Sequence, residues 1–184
     1  MKRALIVVDV QNDFCEGGSL AVTGGEAVAA NLTEHLRAHR ADYDFVAATR
    51  DYHVDPGPHF SDSPDFRESW PPHCVVGTSG AELHPNLDAS LIDEVFDKGQ
   101  DTAAYSGFEA RVPGGEVLGD RLRELGIEEV DVAGIATDYC VRATVLDAIE
   151  AGFKVRLLPG LCAGVAPESS NAALRQMAQA GATV

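Results

Sequence analysis

The chain has 184 residues, 45% of them hydrophobic and 23% charged, the balance of an ordinary globular domain with enough apolar side chains for a sizeable core. Its formal net charge of -15 argues against nucleic acid and anionic membrane as partners, since both recruit a basic face. No apolar run approaches the length of a membrane span.

Met1 to Val8 is basic and then apolar, but the run breaks at Asp9 and no small-residue cleavage site follows. It therefore reads as a first strand rather than a signal peptide. Leu5 to Val10 has the continuous apolar character of a buried parallel strand. Gln11 to Gly25 is a glycine-rich loop, and Glu26 to Arg40 has helical periodicity. Asp44 to Thr49 is a second strand. Arg50 to His84 is a long loop holding five of the nine prolines, and loops of that length in compact domains usually carry function. Leu91 to Asp97 reads as a third strand, Glu116 to Leu125 as a helix ended by Gly126, and Glu129 to Ala136 as the next strand. Thr137 to Ala151 is helical with Gly152 as its C-cap. Lys154 to Leu158 is a strand, and Pro167 to Ala180 a helix. Ala182 to Val184 starts a last strand whose abrupt end predicts a few further C-terminal residues. Strands alternating with helices predict an α/β sandwich, a mostly parallel sheet with helices on both faces. Neither a repeat nor a linker interrupts it, so one domain over residues 1–184 is expected.

The four cysteines, Cys15, Cys74, Cys140 and Cys162, form no CxxC pair. They read as free thiols of a reducing, cytoplasmic compartment. Cys140 differs from the rest in its place, at the junction of a buried strand and a helix. Unpaired N–H groups and the helix dipole there favour negative charge and predict a lowered thiol pKa. The carboxyl end of a parallel strand is also where ligands bind in open α/β sheets.

Asp9 interrupts an apolar strand near its carboxyl end. It reads either as a hydrogen-bonded carboxylate fixing the next loop or as a partly desolvated general base and acid. Lys98 ends the third strand. Such a lysine is most often solvated, and its functional alternative is a fixed cation beside the thiol. In the long loop, Asp51 and His53 point the same way from an extended backbone, and His59 and His73 follow. Three of the six histidines within 21 residues, with one carboxylate, suit a divalent transition metal such as Zn, Fe or Mn. The bland alternative is a polar loop that happens to hold histidines. Phe14 and Trp70 lie in loops near these clusters, where local packing is the default and ring stacking the alternative.

Six segments then carry a resemblance. They are Val8-Asp9-Val10-Gln11-Asn12-Asp13-Phe14, Asp51-Tyr52-His53, Ser69-Trp70-Pro71-Pro72-His73-Cys74, Phe96-Asp97-Lys98-Gly99, Tyr105-Ser106-Gly107-Phe108 and Gly134-Ile135-Ala136-Thr137-Asp138-Tyr139-Cys140-Val141. In this order they resemble the nicotinamidases, also called pyrazinamidases, of the isochorismatase-like hydrolase superfamily. The match runs nearly end to end, and Cys140 points to the amidase branch rather than the isochorismatase branch. The resemblance implies hydrolysis of nicotinamide to nicotinate and ammonia, and of pyrazinamide, with NAD salvage as the fitting cellular role. It implies Asp9, Lys98 and Cys140 as a catalytic triad and Asp51, His53, His59 and His73 as ligands of one metal ion. It further implies a cis Ile135–Ala136 peptide and an oxyanion hole from the Ala136 and Cys140 N–H groups. Phe14, Trp70 and Tyr105, with Ile135 and Ala136, would line the pyridine pocket. Tyr139 stands where some members have histidine, at the pocket rim. The expected partner is a small carboxamide, with no nucleic acid or membrane, and the chain acting as monomer or homo-oligomer.

Overall fold

A computed structural model describes all 184 residues. Five parallel strands form one sheet in the order β3-β2-β1-β4-β5, with β1 at Lys2–Val8, β2 at Phe45–Asp51, β3 at Glu94–Lys98, β4 at Ile127–Ile135 and β5 at Lys154–Ala163. The helices are α1 (Gly25–His39), α2 (Leu118–Glu124), α3 (Arg142–Glu150) and α4 (Pro167–Ala180). The expected α/β sandwich is present, and its sheet is parallel throughout.

β1 shows why. Ala4 to Val8 are all fully buried, with Ala4, Ile6 and Val8 facing one core and Leu5 and Val7 the other. A strand covered on both faces needs no polar side, which removes the alternation of a half-exposed strand. The first core takes its helical residues from α2, α3 and α4 (Leu122, Val145 and Met177 among them), and the second from α1 through Val28, Leu32 and Leu36. The chain winds from β1 outward through β2 and β3, then crosses to β4 and β5 on the other side. The crevice above β1 and β4 is therefore the topological switch point where ligands bind in such sheets.

Several boundaries differ from the sequence expectation. The third strand begins at Glu94, because Ala89–Leu91 forms a 3₁₀ turn capped by Asp88, whose carboxylate accepts the Ser90 N–H at 3.1 Å. The strand then runs on to include Lys98. α2 is shorter than Glu116 to Leu125. Residues Thr137–Val141 make a π-type turn, and the α-helix proper starts only at Arg142. β5 continues five residues past Leu158, carrying Pro159 and Gly160 through a register shift between Val132 and Gly134 of β4. An edge strand tolerates such an irregularity. The expected last strand at Ala182–Val184 reduces to one bridge between Thr183 and Arg156.

Gly134 sits where β4 presses on β1. At φ 127°, a Cβ there would lie 2.2 Å from the Val8 carbonyl oxygen and 2.7 Å from its nitrogen. Only glycine allows that approach, and it brings the carboxyl ends of β1 and β4 together.

Candidate active site

The carboxyl ends of four strands supply the centre of the molecule's chemistry. Asp9 follows β1, Asp51 ends β2, Lys98 ends β3 and Cys140 lies in the turn after β4. Asp9 adopts φ 48°, a left-handed conformation that is costly for a non-glycine residue and concentrates at functional sites. Its N–H bonds the Thr49 carbonyl at 3.0 Å, and its Oδ1 accepts from the Thr49 hydroxyl at 2.8 Å.

Lys98 is 1% exposed. Its ammonium donates to Asp9 Oδ2 at 2.9 Å, to the Ala104 carbonyl at 2.8 Å and to Asp51 Oδ1, and it lies 3.7 Å from Cys140 Sγ. Ligand atoms of Asp9, Asp51 and Cys140 all fall within 4.8 Å of one another. The solvated reading of Lys98 is thereby excluded. The three strand ends converge although β2 lies between β3 and β1, because the long Lys98 side chain reaches past Asp51 to Asp9.

Burial works against the charge on Lys98, yet Asp51 and Asp9 outweigh it and hold the ammonium well above its ordinary pKa. Burial likewise lifts Asp51, but Lys98 and the imidazoles of His53 and His73 pull it well below the carboxylate range. For Asp9 burial wins, opposed by Lys98, and the carboxyl is raised. Cys140 contradicts the expectation of a lowered thiol pKa. Burial pushes the thiol up, Lys98 pulls it down, and Asp9 and Asp51 push it up again, for a net rise. The physical reason is place: Cys140 is enclosed in the π-type turn, before the helix begins, with two carboxylates at hand. Cys140 therefore rests as a neutral thiol beside a carboxyl of raised basicity.

The second constellation lies next to the first. His53, His59 and His73 bring ring nitrogens within 4.8 Å of one another, and Asp51 Oδ2 is 3.5 Å from His53 Nε2 and 3.7 Å from His73 Nε2. His53 Nδ1 donates to the Gly99 carbonyl and His73 Nδ1 to the Pro71 carbonyl at 2.8 Å. Each bond fixes the tautomer that leaves Nε2 with a free lone pair. His53 Nε2 and His59 Nδ1 are buried without any hydrogen-bond partner. One such orphan costs about 1–3 kcal/mol, so two facing one point is the pattern of ligands rather than of a packed polar loop. Burial, with the neighbouring His73 and His53, lowers His59 to about 4, so its imidazole is neutral at pH 7. Three imidazoles and one ionised carboxylate fit a divalent transition metal.

A cavity of about 240 Å³ opens over both clusters. Phe14, Trp70, Tyr105, Ile135, Ala136 and Tyr139 form its walls, while Cys140, Asp51, His59 and His73 reach it from below. Asp9, Lys98 and His53 stand behind that floor, sealed from solvent. Phe14 and Trp70 are buried rather than exposed in their loops. The indole is fixed by its N–H, which donates to the Tyr105 hydroxyl at 3.2 Å, and by the edge of Tyr139 at 5.1 Å between centroids. The Ile135–Ala136 peptide is cis, and the Ala136 N–H has no acceptor within the protein.

Sequence reasoning passed over four supporting residues. Gln11 is buried against Asp51. The Thr49 hydroxyl orients Asp9. Thr144 donates to the Cys140 carbonyl at 2.7 Å. Asp138 accepts the Val165 and Ala166 N–H groups at 2.9 and 3.2 Å, tying the turn that holds Cys140 to the segment leading into α4. None stands out by periodicity: Gln11, Thr49 and Asp138 bond segments distant in sequence, and Thr144 bonds back to Cys140 within one turn.

Comparison with known proteins gives a consistent result. Residues 3–184 match the Isochorismatase domain. The chain is 58% identical over 175 residues to the nicotinamidase/pyrazinamidase of Mycobacterium tuberculosis, spanning 95% of this chain and 94% of that one. Among solved structures it is similar to a pyrazinamidase of Pyrococcus horikoshii in complex with zinc, with TM-score 0.85 and 38% identity over 100% of this chain and 98% of that one. It is also similar to PnC1 from L. infantum in complex with nicotinate, with TM-score 0.85 and 34% identity over 99% and 91%.

Proposed function

The chain belongs to the isochorismatase family, and from that membership we propose a cysteine amidohydrolase that converts nicotinamide to nicotinate and ammonia, and pyrazinamide to pyrazinoate. The observation that carries this reading is the meeting of Asp9, Lys98 and Cys140 under an aromatic cavity beside a three-histidine cluster. We read residues 1–184 as one hydrolase domain.

The residues divide the work as follows. Phe14 and Trp70 hold the flat ring between them, and the enclosed walls fix its plane, so the carboxamide meets Cys140 in one orientation. Asp9, of raised basicity, takes the thiol proton as Sγ attacks the amide carbon. Lys98 stays charged and offsets the negative charge that builds near Sγ. The tetrahedral oxyanion lies at the Ala136 and Cys140 N–H groups. Collapse breaks the C–N bond, and Asp9 returns its proton to the departing ammonia. The thioester on Cys140 is then hydrolysed by water, with Asp9 again the base, releasing the acid and the free thiol.

Asp51, His53, His59 and His73 would hold one divalent ion, and Zn, Fe and Mn all suit the donor set. Bound there, the ion supplies a Lewis acid at the cavity wall for a ring nitrogen or a water. The chain's contribution is to present imidazoles and an ionised carboxylate, oriented by the Gly99 and Pro71 carbonyls and by Lys98.

The chain binds a small molecule rather than a polymer, and no helix is long and apolar enough to cross a membrane. Four free cysteines favour the cytoplasm, where the reaction fits NAD salvage. The rival within the family is an amidase for carbamoyl or ureido substrates, which the histidine cluster disfavours. Ammonia release from nicotinamide and pyrazinamide, with N-carbamoyl amino acids as comparison, tests the assignment. Release from the carbamoyl compounds alone would overturn it.

A further inference from the structure

Gln11 is fully buried and reaches neither the cavity nor the thiol. Its place in the sheet explains why it is there. β1 and β2 pair in register only as far as Val8 and Thr49. Asp9 then turns out of the sheet. The last residues of β2, Arg50 and Asp51, keep β3 on one side and lose β1 on the other. The Gln11 side chain fills the vacated position. Its Oε1 accepts the Asp51 N–H at 2.9 Å, and its Nε2 donates to the Asp51 carbonyl at 2.7 Å and to the Ala81 carbonyl at 2.9 Å. One carboxamide thus pairs both main-chain groups of Asp51, as a strand residue would.

Asp51 needs that constraint because its carboxylate serves two clusters. Oδ1 receives Lys98, and Oδ2 faces His53 and His73. A small rotation of the Asp51 backbone would move Oδ2 away from the imidazole nitrogens. Only a glutamine meets the requirement: an acceptor and a two-hydrogen donor on one planar group at this reach. Glutamate would set an oxygen against two carbonyls, and asparagine is one methylene short.

We propose that Gln11 is a positioning residue that holds the Asp51 carboxylate in place for the metal ion; the inference rests on the metal-centre reading above. Groups that orient a metal ligand typically cost about 10–100-fold in metal affinity when replaced.

The test is zinc titration of the chelator-stripped full chain against a chromophoric competitor, with urea unfolding alongside. The variants are Gln11→Met, Gln11→Glu and, as control, Asn12→Ala. Asn12 Nδ2 donates to the Ser79 carbonyl at 2.7 Å, so it docks the same 79–81 turn without touching Asp51. Zinc affinity falls about 10–100-fold in both Gln11 variants and stays at the wild-type value in Asn12→Ala. If Gln11→Met does not fold, Gln11→Glu decides. Wild-type affinity in the Gln11 variants overturns the proposal, as does an equal loss in Asn12→Ala. A wild type that binds no zinc overturns the metal centre and this inference together, whereas unaffected Gln11 variants of a zinc-binding wild type overturn this inference alone.

Discussion

Replacing Lys98 by methionine keeps the aliphatic stem and removes the one cation shared by two buried carboxylates. Asp9 and Asp51 are 0% and 4% exposed, and their oxygens lie within 4.8 Å of each other. Lys98 Nζ sits 2.9 Å from Asp9 Oδ2. At an effective dielectric near 20, one such contact corresponds to about 6 kcal/mol of attraction. Removing one partner of a buried pair costs about 3–5 kcal/mol once relaxation is included. With a urea slope of about 2 kcal/mol per molar, the midpoint at pH 7 should fall by roughly 2 M. The pH dependence follows in sign. Without Lys98 the Asp9 carboxyl rises further above its unfolded value and Asp51 loses the main charge that held it below. The folded variant therefore binds protons more tightly than the wild type, and its deficit narrows as pH falls from 7 toward 5. Urea unfolding of chelator-treated wild type and Lys98→Met at both pH values measures this. A wild-type midpoint at pH 7, or a deficit unchanged at pH 5, would refute the idea that Lys98 neutralises this pair.

Gly134→Ala forces a Cβ against the Val8 backbone at φ 127°; overpacking and strain together cost about 3 kcal/mol. At roughly 2–4 °C per kcal/mol for a chain of this size, calorimetry should find the melting temperature about 10 °C lower, and an unshifted value would contradict the packing described. The metal-free protein should lose stability as pH drops below 6.5, because the unfolded chain then protonates His59 while the folded one resists until about 4. That loss amounts to about 3 kcal/mol at most and is absent in His59→Gln; equal acid profiles in urea would remove His59 as its source. Trp70→Ala removes one wall of the ring pocket, and KM for nicotinamide should rise on the order of tenfold or more with kcat less affected. A fall in kcat at constant KM would mean that the indole does not serve ring binding.

The reach of the sequence is clearest at particular residues. β1 was legible because an unbroken apolar run ending in aspartate has few other readings, and α4 because Pro167 opens it. Asp9, Lys98 and Cys140 were legible as strand-end residues, but only the strand order brings them together. β5 was cut short because Pro159 and Gly160 signal a stop, and an edge strand with a register shift absorbs them. The thiol departs from the sequence expectation because helix-terminus arguments assume an open turn; burial reverses the sign, and the two adjacent carboxylates add to it. Gln11 stands in a quoted segment, but its role is not legible there because its partner lies 40 residues away and is a backbone.

The nucleophile is the central claim, and ammonia release from nicotinamide by the wild type and Cys140→Ala tests it most directly. Steady release by the metal-replete wild type and none by the variant, with ring binding retained, is the predicted result. Equal release by both would contradict attack by Cys140.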